Sequence, residues 1–295
     1  MPREYRTATA FRTALEDRLT KIAAAENVQV NRLRRQVAFD RLLARLFRTD
    51  PAPWVLKGGY ALELRFKTSR ATIDIDLTVQ RVAATTEEEA NQIVREMVQS
   101  AAGLPLDDWF EYIIGAPAMD LDAAPYGGAR YPIEARMDGR VFARFHLDAG
   151  RGDAVMQPVD TVECRDWLAF AGIASPTVPT ISREQQFAEK LHAYTLPRSS
   201  TNSRVKDLID MALLIRSGQL APEGTAHALR LTFDRRQTHA LPPVLLEPPS
   251  EWQGRFNSLA EECHLPANMA TLFAEIEAFL TQLAETNNLK SRLAK

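Results

Sequence analysis

Residues 72–79, Thr-Ile-Asp-Ile-Asp-Leu-Thr-Val, alternate polar and apolar without a break. A β-strand, whose side chains point to opposite faces at a period of two, buries such a segment on one side. The spacing puts Ile73, Ile75, Leu77 and Val79 on one face and Thr72, Asp74, Asp76 and Thr78 on the other. A strand rises about 3.3 Å per residue, so Asp74 and Asp76 stand about 6.6 Å apart at Cα and their carboxylates can converge. Such hard oxygen donors suit Mg²⁺, and two-metal phosphoryl-transfer sites hold their ions roughly 3.5–4 Å apart. An isolated Asp-x-Asp is more often an ordinary solvated strand face, so its surroundings decide.

Upstream, Trp54, Val55 and Leu56 read as a short buried strand that ends in Lys57-Gly58-Gly59 and enters a helix over about residues 60–67. Glycines admit a ligand close to the backbone, and a helix start offers unpaired N–H groups with partial positive charge. The junction is a candidate cradle for a triphosphate, with Lys57, Arg65 and Arg70 as cations around it.

The remaining pattern predicts helices over 7–25 and 28–47, and another beginning at an N-cap Thr86 followed by acidic residues. A hairpin over 130–148 turns at Asp138-Gly139 and ends on Asp148. Beyond a proline-punctuated segment from 158 to 179, helices are expected over 182–195, 204–216, 225–234 and 267–284, with 242–252 as an ordered connector. The expected class is α+β and bilobed: residues 1–180 carry a mixed or antiparallel sheet, and residues 181–295 are helical. In the second lobe Lys190 edges a Phe187, Leu191 and Tyr194 stripe, where a lysine is often only snorkelling. Arg204, Asp207 and Asp210 are spaced to share a helix face, which a plain salt-bridged helix would also explain.

Cys164 and Cys263 are far apart and lack a CxxC partner, so neither a disulfide framework nor a zinc cluster can be argued. No uninterrupted apolar run reaches the ~20 residues needed to span a bilayer, and the start lacks an apolar core of signal-peptide length. The expectation is a cytoplasmic protein. Its net charge of −2 says little about partners, but residues 1–48 carry ten Arg and Lys21 against five acids, a net of +6. An Arg-rich helical segment can neutralise nucleic-acid phosphates, or it can be a solvated face. His146, His192, His227, His239 and His264 show no HExxH spacing, and isolated histidines are more often structural.

The runs KGGYALELR and RATIDIDL together resemble the AbiEii/AbiGii nucleotidyltransferase toxins, the family of the MenT toxins within the DNA polymerase β-like superfamily. The family's Lys-Gly-Gly-Thr-Ala-Leu and Arg-x-Ser-x-Asp-x-Asp runs fall on residues 57–62 and 70–76, with Tyr60 and Thr72 as departures. Tyr60 would set an aromatic ring beside the phosphates. The resemblance implies a polymerase-β-like N-terminal lobe, with Asp74, Asp76, Lys190 and Asp207 catalytic. It assigns Lys57, Gly58, Gly59, Arg70, Lys190 and Arg204 to the nucleotide, and Asp74, Asp76 and Asp148 to Mg²⁺ or Mn²⁺. These groups are expected to converge from both lobes. The implied reaction is NMP transfer from an NTP to a tRNA 3′ end, with a cognate antitoxin encoded nearby. Transfer to a protein hydroxyl and a non-catalytic nucleotide-binding module remain open alternatives.

Overall fold

The computed structural model describes residues 5–66, 70–80, 82–121, 124–197 and 204–286; Arg3, counted in the basic N-terminus, lies outside them. The chain divides into two compact units. Unit 1 holds residues 1–64, 71–152 and 161–180, and unit 2 holds 65–70, 153–160 and 181–295. Two short excursions, 65–70 and 153–160, therefore group with the helical unit.

Unit 1 contains α1 (Ala8–Glu26), α2 (Val30–Leu46), β1 (Trp54–Lys57), α3 (Gly58–Arg65, whose last residue falls in unit 2), β2 (Asp74–Val79) and α4 (Glu87–Ala102). It continues with β3 (Glu111–Ile114), β4 (Met119–Asp120), β5 (Gly128–Met137), β6 (Arg140–Arg151), β7 (Asp160–Glu163, whose first residue falls in unit 2) and β8 (Thr177–Thr180). The sheet is mixed, in the order β3-β5-β6-β2-β1-β8-β7, with β4 paired to β5. β2 runs antiparallel to β1 and parallel to β6. Four strands, β3, β4, β7 and β8, were not anticipated from the sequence.

Apolar side chains at helical spacing create the helices that cover this sheet. Phe11, Leu15 and Leu19 of α1 are buried, as are Leu33, Val37, Phe39, Leu42, Leu43 and Leu46 of α2. Each fully buried Leu or Phe contributes roughly 1.5–3 kcal/mol relative to exposure. Thr86 caps α4 as expected, accepting from the Glu89 N–H at 3.1 Å. On β2, Ile75, Leu77 and Val79 enter the core. Ile73 does not: it precedes the strand and is exposed. Thr78, assigned to the polar face, is buried as well.

Part of the basic N-terminus is satisfied from within, whereas Arg6 and Arg48 are exposed. Arg45 grips Asp108 with NH1 at 2.8 Å and NH2 at 2.7 Å, and Arg41 Nε reaches the same carboxylate at 2.6 Å. All three side chains are buried. Arg32 pairs with Glu63 and Arg34 with Glu16, while Arg12 donates to the carbonyls of Met137, Arg140 and Val141 at the hairpin turn.

Unit 2 packs α5 (Arg183–Thr195), α6 (Val205–Arg216), α7 (Pro222–Arg236), α8 (Gln253–Glu262) and α9 (Met269–Thr286) around Phe187, Leu191, Leu208, Met211, Phe256 and Leu272. The helix α8 follows the 242–252 connector and was not anticipated. No helix among the described residues is long and apolar enough to cross a membrane.

Removing the shared carboxylate of the buried cluster strands two guanidiniums in the core. Asp108→Ala is expected to cost about 3–5 kcal/mol. A urea midpoint equal to that of the parent chain would contradict this.

Candidate active site

Strand register assembles the acidic face. Lys57 on β1 is the partner of Asp76 on β2, Asp76 that of Asp148 on β6, and Asp148 that of Arg130 on β5. Paired residues on neighbouring strands, about 4.8 Å apart, share a face. The four therefore form a row in the order cation, acid, acid, cation. One step along the strands, Asp74 is level with His146.

Contacts follow the register. Arg130 holds Asp148 through two parallel bonds, Nε and NH2 each at 2.7 Å, and its NH2 lies 3.4 Å from Asp74 Oδ2. The hydrogen bond to Asp148 leads in raising the Arg130 pKa above its ordinary value, and burial opposes it. His146 Nδ1 stands 3.2 Å from Asp74 Oδ1. Neither Arg130 nor His146 was picked out in the sequence. His146 lies two residues before Asp148, so the period of a strand already put both on one face. Arg130 was concealed by a bulge. The turn pairs Met137 with Arg140, and an unbroken ladder from there sets Arg130 opposite Leu147. The irregularity at Ala135/Arg136 shifts the register by one and delivers Arg130 to Asp148.

The glycine pair closes on the same carboxylate. Gly58 has φ +67°, and a Cβ there would lie 2.0 Å from Asp76 Oδ2. Both the left-handed backbone and the close approach demand glycine. The Gly59 N–H points at Asp76 Oδ2 from 3.4 Å, at the start of α3.

Tyr60 corrects an expectation. Its ring is buried against Phe39, centroids 4.8 Å apart, and its hydroxyl donates to the buried Asp40. The ring enters the core because Asp40 supplies the acceptor its hydroxyl needs there. Trp167 Nε1 donates to the other Asp40 oxygen at 2.8 Å. Burial pushes the Asp40 pKa up to about 7, against hydrogen bonds from Tyr60, Cys164 and Trp167 that favour the carboxylate. The residue following the glycine pair is thus anchored to α2.

In unit 2, Lys190 Nζ lies 2.8 Å from Asp210 Oδ2 and 3.2 Å from Asp207 Oδ1. Arg70 forks onto Asp210 at 2.9 and 2.7 Å, and Arg204 stands 3.6 Å from Asp207 Oδ2. Asp210, the less favoured acid in the sequence, is the hub. Burial works to discharge Lys190, but Asp210 and Asp207 outweigh it and raise the ammonium above its ordinary range. Arg65 pairs with Asp160 at 2.7 Å. Arg65 and Arg70 are therefore each paired with an acid of unit 2.

Among the described residues no group of three or more His, Cys, Asp and Glu side chains is arranged to hold a metal ion. The donor set nevertheless fits a hard cation. Mg²⁺ keeps several waters and is commonly bound through one or two carboxylates plus substrate phosphates. Asp74 and Asp76 supply two carboxylates on one half-open face, and the positive Arg130 already sits between Asp74 and Asp148.

A family model described as Nucleotidyl transferase AbiEii toxin, Type IV TA system, matches residues 41–285. Among solved structures, MenT4, a nucleotidyltransferase toxin of Mycobacterium tuberculosis, aligns with a TM-score of 0.64 at 18% identity, covering 95% of this chain and 92% of that one. JHP933 of Helicobacter pylori aligns with a TM-score of 0.47 at 16% identity, covering 90% and 98%. No curated protein sequence matches significantly.

Two outcomes follow from the buried groups. Burial raises the Asp40 pKa to about 7 in the native chain, well above the ordinary carboxylate range. The associated stability is full below about pH 4 and is lost as pH rises to about 7, by at most about 4 kcal/mol. Asp40→Asn should lower the urea midpoint at about pH 5 yet flatten its decline towards about pH 8. An unchanged slope would show that Asp40 titrates normally. Lys190→Met leaves Asp207 and Asp210 without their shared ammonium and should cost about 3–5 kcal/mol. Its Tm, measured beside its activity, would contradict this by matching the parent's.

Proposed function

Because this chain belongs to the AbiEii family of nucleotidyltransferase toxins of type IV toxin–antitoxin systems, we propose that it transfers NMP from an NTP to the 3′ end of tRNA and so blocks aminoacylation. The observation that carries this reading is the in-register row Lys57, Asp76, Asp148 and Arg130, closed by the glycine turn on Asp76. It gathers carboxylates, cations and a helix start on one sheet face of unit 1.

Asp74 and Asp76 would hold the divalent cation, Mg²⁺ or Mn²⁺. When bound, such an ion supplies Lewis-acid polarisation of the phosphate under attack. Gly58 lets the chain close on Asp76, and with Gly59 it is assigned to the triphosphate at the α3 N-terminus, where backbone N–H groups favour negative charge. Lys57 contributes a cation in the same row. Lys190, oriented by Asp207 and Asp210, is assigned to the nucleotide's phosphates. The acceptor hydroxyl forms the new ester bond at the α-phosphorus, the α–β anhydride bond breaks, and pyrophosphate leaves.

The choice of tRNA rests on the resemblance to the MenT toxins. Arg41 cannot serve its backbone, being buried on Asp108. Membership of a type IV toxin–antitoxin family implies an antitoxin partner, and we place its gene beside this one.

The test is incubation with each α-labelled NTP, Mg²⁺ and total tRNA, followed by sequencing of tRNA 3′ ends. Label should enter RNA and vanish with Asp74→Ala/Asp76→Ala, a loss of at least about 10²-fold because the attack needs both a polarised phosphate and a placed hydroxyl. Label that enters protein instead would move the acceptor to a protein hydroxyl. Persistence of transfer in the double variant would remove the aspartates from the mechanism.

A further inference from the structure

Arg130 is not a packing residue. Its side chain is 28% exposed, while the acids it touches, Asp148 and Asp74, are 12% and 19% exposed. Its hold on them is unequal. Asp148 receives two parallel bonds at 2.7 Å, the bidentate geometry that makes guanidinium–carboxylate pairs both strong and directional. Asp74 receives one contact at 3.4 Å through the NH2 that Asp148 already occupies. The guanidinium is anchored on one acid and leans on the other.

We propose that Arg130 is the internal counter-cation of the acidic face, positioned by Asp148, and that a divalent cation takes Asp74 only by displacing it. The inference rests on the reading that Asp74 and Asp76 hold the metal, and it moves Asp148 from metal ligand to positioning residue. Two consequences follow. Metal alone binds weakly, because it must compete with a tethered positive charge. Metal with nucleotide binds well, because the phosphates offer the displaced guanidinium an anionic partner that suits its planar fork. Arg130 thereby couples metal entry to the arrival of the triphosphate.

The experiment measures Mn²⁺ binding to the full nucleotide-free chain, with free ion read by electron paramagnetic resonance. Arg130→Gln and Arg130→Met should each tighten Mn²⁺ binding by at least about tenfold, a modest effect beside that of a unit charge about 4 Å away in a partly screened site. Arg130→Lys keeps the charge and should bind as the parent does. The proposal is overturned if the Gln and Met variants bind no tighter than the parent. It is equally overturned if the Lys variant tightens as much as they do, since charge would then not be the cause. Asp74→Asn/Asp76→Asn separates the two levels. If that variant keeps the parent's Mn²⁺ affinity, the metal reading itself fails and takes the Arg130 inference with it. If its affinity falls while Arg130 has no effect, only the inference fails.

Discussion

The parallel ladder between β2 and β6 determines which side chains meet in unit 1. It sets Asp74 level with His146 and Asp76 level with Asp148. Strand side chains alternate at a period of two, so a slip of one residue would turn one set of acids into the core and leave Leu147 on the open face. Burial forbids that slip: Ile75 and Leu77 on β2 and Leu147 on β6 are all inaccessible to solvent. The hydrophobic contacts on one side of the sheet thus fix the spacing of the charges on the other.

The same economy governs the charges that do go inside. Asp108 serves Arg41 and Arg45 together, and Asp210 serves Arg70 and Lys190. In each cluster one carboxylate answers two cations, and its oxygens are met by short charge-assisted bonds that offset the cost of leaving water. Such clusters commit their members to partners within the unit. This is why a count of arginines in the first 48 residues overstated the cationic surface.

How much could be read in advance depended on how local the cause was. The strand of Asp74 and Asp76, the glycine junction, the cap at Thr86 and the Asp138-Gly139 turn all rest on neighbouring residues, and each was legible. The short strands β3, β4, β7 and β8 were not, because segments of two to four residues are strands only through the partners they find. The fate of Tyr60 turned on Asp40, 20 positions away, and that of Arg45 on Asp108, 63 positions away. Arg130 was hidden more subtly, behind a single extra residue whose presence no periodicity announces. Asp210 outranked Asp207 because it is the acid that both Arg70 and Lys190 can reach.

The bulged hairpin also bears on the order in which the acidic face comes together. Arg130 and Asp148 are separated by 18 residues and joined through a tight turn, whereas Asp74 and His146 are separated by 72. Closing the shorter loop costs about 1.2 kcal/mol less in chain entropy, two doublings of length at about 0.6 each. A hairpin can form in microseconds, long before distant strands meet. The arginine–carboxylate pair is therefore the half of the face whose closure costs the chain least, while the contacts of Asp74 need the longer loop between β2 and β6 to close.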